Sequence, residues 1–127
     1  MSAIDFSEIP FIDRIKWEMF ARDFLEISNF TIMTEPSEGP DGGMDLIVES
    51  LEINLDKTEK IRWLVSCKNK GKSNKAVGVS DELNIRDRIA DFNCDGFIGF
   101  YSTWPSTALY SRLQKVGIYK VFDCTKI

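Results

Sequence analysis

Apolar residues recur at helical spacing between Pro10 and about Asn29, at Ile12, Ile15, Met19 and Leu25 and again at Phe20, Phe24 and Ile27, with charged residues between them. This period predicts a first helix. Phe30–Thr34 is short and β-prone, and the Pro36–Gly43 stretch after it is a strong turn signal. Met44–Glu49 and Ile61–Cys67 then read as two strands of a hairpin, joined through the polar stretch Asn54–Lys60. Ser80 is placed to cap a helix running to about Asn93, with Leu83, Ile85, Ile89 and Phe92 as its apolar side. Gly96–Tyr101 is a buried strand, residues 105–116 a helix opened by Pro105, and Ile118–Phe122 a last strand. The order α-β-β-β-α-β-α-β predicts an α/β fold, a mixed sheet with helices on both faces.

The chain has 127 residues, with 43% hydrophobic and 28% charged side chains, so one globular domain over 1–127 is expected. Its longest apolar run, near Phe97–Tyr101, falls far short of the about 18 residues needed to span a bilayer. Nor does Met1–Asp5 open a secretory signal, so a cytoplasmic location away from membranes is expected. Histidine is absent, and the three cysteines, at 67, 94 and 124, are too far apart for a CxxC pair. Those two facts remove histidine-based triads and ordinary histidine-ligated zinc or copper sites. Catalysis here must use carboxylates, lysines, hydroxyls or an oxygen-bound metal.

The net charge of –4 argues against a general nucleic-acid binder, but it hides an asymmetry. Residues 1–60 carry 14 acids and 5 bases, and residues 61–127 carry 6 acids and 11 bases, so a basic surface can adjoin an acidic site.

Strand alternation puts Ser66 and Lys68 on one face with Arg62 and Leu64, and Trp63, Val65 and Cys67 on the other. Lys68 closes its strand, where a lysine can hold a phosphate oxygen or help polarise an attacking water; a strand-end lysine reaching solvent gives the same pattern. Asp45 opens the neighbouring strand after two glycines, which allow a ligand to come close; a carboxylate at a strand edge facing water fits equally. Asp41 belongs to Pro-Asp-Gly-Gly turn chemistry and is the weaker candidate. Ser102, Thr103, Ser106 and Thr107 flank the third helix, where free N–H groups can bind phosphate, and N-capping explains them as well.

Glu18 on the first helix, Gly43-Met44-Asp45 opening one strand and Ser66-Cys67-Lys68 closing the next resemble the PD-(D/E)xK superfamily of restriction-endonuclease-like nucleases. More narrowly, Trp63–Lys68, Val77–Glu82 and Gly96–Thr103 resemble the Mrr-like nuclease domains of bacterial defence proteins, and the resemblance covers about residues 10–122. One position departs from the motif: Ser66 stands where a carboxamide or carboxylate residue usually precedes the lysine by two. Some restriction enzymes of this superfamily carry serine there and bring the carboxylate from the following helix. Residues 69–81 separate Lys68 from Glu82 here, which matches that relocated form. An acid in the first turn of a helix begun by Ser80 is also favoured by the helix dipole, at about 0.3–1 kcal/mol.

The resemblance implies a restriction-endonuclease-like sheet and hydrolysis of DNA phosphodiesters with Mg²⁺ or Mn²⁺. Asp45 and Glu82 would hold the ion, with the Cys67 carbonyl as a further ligand, and Lys68 would serve the attacking water. Glu18 would bind a second metal or order water, though a helix surface normally carries such acids. Ser66, Lys70, Lys72 and Lys75 would contact nucleic acid, the lysines also reading as a solvated loop. The expected partner is DNA, with the chain acting as a homodimer or oligomer or as part of a larger defence protein. The alternative is a non-catalytic nucleic-acid-binding or assembly module in which Ser66 marks a lost site; an RNA-directed nuclease also fits.

Overall fold

The computed structural model describes residues 14–34, 37–38, 44–68 and 75–123. In chain order these form α1 (Arg14–Ile27), β1 (Thr31–Ile32), β2 (Ser37–Glu38), β3 (Met44–Asn54), β4 (Lys57–Lys68), a 3₁₀ turn (Val79–Asp81), α2 (Ile85–Asp91), β5 (Gly96–Tyr101), α3 (Thr107–Gln114) and β6 (Ile118–Phe122). The sheet runs β1-β3-β4-β5-β6, with β2 also pairing with β3. Pairing is antiparallel from β1 to β4 and parallel from β4 to β6. The expected mixed sheet is therefore present. β2 is an added strand inside the stretch read from sequence as a turn.

Alternation along β4 and β5 divides the core between the two faces. Trp63, Val65 and Cys67 of β4 and Ile98 and Phe100 of β5 pack under α1, against Trp17, Ala21 and Leu25. Leu64 of β4 and Phe97 and Tyr101 of β5 pack on the opposite face, against Ile85 of α2 and Leu109 and Leu113 of α3. β5 lies between two strands and under both layers, and all six of its residues are buried. Such double burial needs a continuous apolar run rather than alternation, and Gly96–Tyr101 supplies one.

Several expectations are corrected. The buried stripe of α1 is Trp17–Ala21–Leu25, four residues apart, with Phe20 and Phe24 packed beside it, whereas Met19 and Ile27 are exposed. Residues 10–13 of the expected helix, Ile12 among them, lie outside the described residues. The β3–β4 connection is not a polar loop from 54 to 60. The ladder continues to Asn54 opposite Lys57, leaving Leu55 and Asp56 as the turn, with Leu55 at φ 57°. Beyond the core both faces of a strand meet water, so polar composition does not stop its pairing.

A further correction concerns the segment before α2. Ser80 caps no α-helix; it is exposed within the 3₁₀ turn, and α2 begins only after Asn84, which is left-handed at φ 57°. Leu83 and Phe92, expected on its buried side, are exposed. Glu82 follows the turn with φ –128° and ψ 72°, outside helical space, because its side chain is drawn into the core. In α3, Ser106 rather than Pro105 sets the start, its hydroxyl accepting from the Leu109 N–H at 3.1 Å.

Candidate active site

β4 and β5 end side by side, with Ser66 paired to Gly99 and Lys68 to Tyr101. The Ser102 N–H donates to the Lys68 carbonyl at 3.0 Å, extending the pairing past the last strand residue. These are the carboxyl ends of two parallel strands, the end at which open α/β sheets place their ligands. Across the other edge of β4, the antiparallel ladder sets the Asp45 backbone opposite Ser66. The side chains of Asp45 and Glu18 lie outside the described part. α1, which carries Glu18, packs on the face opposite Ser66 and Glu82.

Glu82 lies 16 positions beyond Ser66, and the fold brings them into contact: the Ser66 hydroxyl donates to Glu82 Oε1 at 2.9 Å. The Tyr101 hydroxyl donates to Oε2 at 2.7 Å, and Arg88 Nη1 donates to Oε1 at 3.3 Å. Glu82 is only 1% exposed, so these donors replace the water a carboxylate would otherwise hold. Because Glu82 precedes α2 rather than sitting in its first turn, helix-dipole stabilisation does not explain its place. The three donors do.

Tyr101 reaches Glu82 because Gly99 lies beneath its ring. A Cβ on Gly99 would overlap the Tyr101 phenol, so only glycine lets the ring lie across that position. Burial first, and then the Glu82 carboxylate and the hydrogen bond donated to it, push the Tyr101 phenol well above its ordinary value of 10. The unfolded chain releases this proton near pH 10 while the folded chain keeps it. Stability contributed by Tyr101 is therefore complete below pH 10 and declines as pH rises beyond it. Urea melts repeated from pH 8 to pH 11 should show this alkaline fall, and Tyr101→Phe should flatten it.

Ser66, expected among the nucleic-acid contacts, is fully buried with its hydroxyl given to Glu82, so here it holds the carboxylate instead. The Cys67 side chain is buried in the α1-side core, which leaves only its backbone for the site. Lys68 is half-buried at the strand end and Lys75 is exposed; Lys70 and Lys72 lie outside the described residues. Thr103 donates to the Lys75 carbonyl at 2.8 Å. A cleft of about 500 Å³ between α2 and α3 opens beside Glu82 and is lined by Arg86, Arg112 and Lys115 along with Asp87.

The oxygen donors suit a hard divalent cation in type. Among the described residues no group of three or more metal-ligating side chains converges, and Glu82 already accepts three hydrogen bonds. With about four lone-pair positions on a carboxylate, the donors among the described residues leave one, on Oε2. The family resemblance pointed to Glu82, by its spacing from Lys68, but Tyr101, Arg88 and Gly99 were missed. The local signal for two of them is a glycine two residues before a tyrosine on one strand, which places both on the same face.

No protein-family model matches this chain, and no curated protein does. Solved structures do. With a TM-score of 0.68, the chain resembles the DNA modification-dependent restriction endonuclease AspBHI, at 15% identity over 99% of this chain and 35% of that one. The fold is restriction-endonuclease-like. A protein of unknown function, AF1548, also matches, with a TM-score of 0.55 and 15% identity over 90% of this chain and 59% of its own. The chain thus spans about a third of AspBHI's length, and at this identity the likeness concerns the fold.

Proposed function

We propose that this chain is the nuclease domain of a metal-dependent DNA endonuclease, in a protein of bacterial restriction or antiphage defence. The supporting observation is the contact between Ser66 and Glu82. A carboxylate from a downstream segment lies against the strand position two residues before Lys68, where PD-(D/E)xK nucleases carry their acid. The sheet around it is restriction-endonuclease-like in fold. Glu82, Asp45 and the Cys67 carbonyl would hold Mg²⁺, whose chemistry at such a site is to activate a water and neutralise phosphate charge. Lys68 would orient that water and offset phosphate charge. Ser66, Tyr101 and Arg88 would fix the Glu82 carboxylate, so that its remaining lone pair points one way. Lys70, Lys72 and Lys75 would contact neighbouring phosphates.

A second reading keeps the fold and discards the chemistry, and one observation favours it. The Glu82–Arg88 ion pair, at 3.3 Å with the carboxylate side chain fully buried, neutralises the charge that a cation would need. On that reading the chain binds nucleic acid or a partner domain without cutting. The two readings separate on incubation with supercoiled plasmid. The nuclease reading predicts nicked and linear products with Mg²⁺ or Mn²⁺ and none in EDTA. Intact plasmid with both metals, or equal cleavage in chelator, contradicts it.

A further inference from the structure

Two of the three tryptophans, Trp17 and Trp63, are 1% exposed, whereas Trp104 is 44% exposed. Its backbone is nevertheless firmly held. The Val77 N–H donates to the Trp104 carbonyl at 2.8 Å, the Ser106 N–H donates to the Val77 carbonyl at 2.8 Å, and Val77 bridges to Pro105. Val77 itself is fully buried in the core under α3.

The anchored segment also carries the contacts to two lysines. Ser102 bonds the carbonyl of Lys68, and Thr103 bonds the carbonyl of Lys75. The chain therefore sets an exposed indole one residue beyond a contact to the Lys75 backbone and two beyond a contact to the Lys68 backbone. An exposed aromatic ring on a hydrogen-bonded backbone, in a segment tied to the backbones of two lysines, supplies the two parts that proteins combine to hold single-stranded nucleic acid. Every base offers a face for stacking, and the cations take the phosphates.

We infer that Trp104 stacks on an unpaired nucleobase of a DNA strand whose phosphates meet Lys68 and Lys75. This names the form of substrate and rests on the nuclease reading: the strand is held single-stranded, or locally opened, at the mouth of the site. An indole has no hydrogen-bond pattern that distinguishes the four bases by stacking, so the contact tolerates sequence.

The test uses the wild-type chain in EDTA, which keeps the probe intact, with a short labelled single-stranded DNA followed by anisotropy and by tryptophan fluorescence. Because the other indoles are buried, quenching reports Trp104. Wild type is expected to be quenched by the single strand. Trp104→Ala should bind it about 5- to 100-fold more weakly, and Trp104→Phe should retain most affinity. A strand of the same length with abasic sites should bind wild type as poorly as the normal strand binds Trp104→Ala, with no further loss in the variant. Unchanged affinity in Trp104→Ala, or an equal loss on abasic and normal strands, overturns the stacking. Stronger quenching by RNA of the same sequence overturns the assignment to DNA. The outcome is independent of cleavage: stacking can fail while plasmid cutting persists, or hold while no metal supports cutting.

Discussion

Replacing Glu82 with alanine is expected to lower the unfolding free energy by about 3–5 kcal/mol, the cost of removing one partner from a buried charged cluster. The change strands two buried hydroxyls, on Ser66 and Tyr101, and removes the carboxylate that Arg88 faces. An unsatisfied buried hydroxyl alone costs about 1–3 kcal/mol. Urea denaturation measures the effect, and a loss below about 1 kcal/mol contradicts the hydrogen-bond network. Glu82→Gln is far milder. Its amide can donate to Tyr101, whose hydroxyl then turns to accept, while the remaining oxygen still receives Ser66 and Arg88. That variant separates charge from packing.

Lys68→Ala should reduce plasmid cleavage by about 100-fold or more, the scale of losing a group that serves proton transfer or charge stabilisation. DNA binding in EDTA should persist, since the proposed phosphate contacts of Lys70, Lys72 and Lys75 remain. The lysine is half-buried at the strand end and its side chain fills no core position, so melts of the variant should stay close to wild type. Cleavage within a few-fold of wild type would return Lys68 to an ordinary strand-end cation.

The sheet was legible because its strands are apolar runs whose length and spacing admit few alternatives. Gly96–Tyr101 could only be a buried strand, and the faces of Ser66 and Cys67 followed from a period of two. Elements on the surface were less legible. Periodicity alone did not show that Met19 and Ile27 lie outside the buried stripe, because an apolar residue in water breaks no rule. The helix expected from Ser80 failed for a long-range reason. Glu82 is pulled to Ser66 and Tyr101, so the backbone leaves helical space before α2, and no local propensity encodes that pull. The contact between residues 66 and 82 was legible only through the resemblance, as a spacing. Tyr101 and Arg88 complete the site by contacts across 19 and 6 residues, which a linear reading does not join.

The direct test of the proposed chemistry is plasmid cleavage by Glu82→Gln in Mg²⁺, alongside wild type and a melt of each. If Glu82 holds the metal, the variant loses most cleavage while remaining folded, because the amide keeps the shape and removes the charge. Moving the acid back to the strand with Ser66→Glu and Glu82→Ala should restore part of that activity. Wild-type cleavage by Glu82→Gln contradicts the account and leaves Glu82 as a buried acceptor that only holds Ser66, Tyr101 and Arg88 in place.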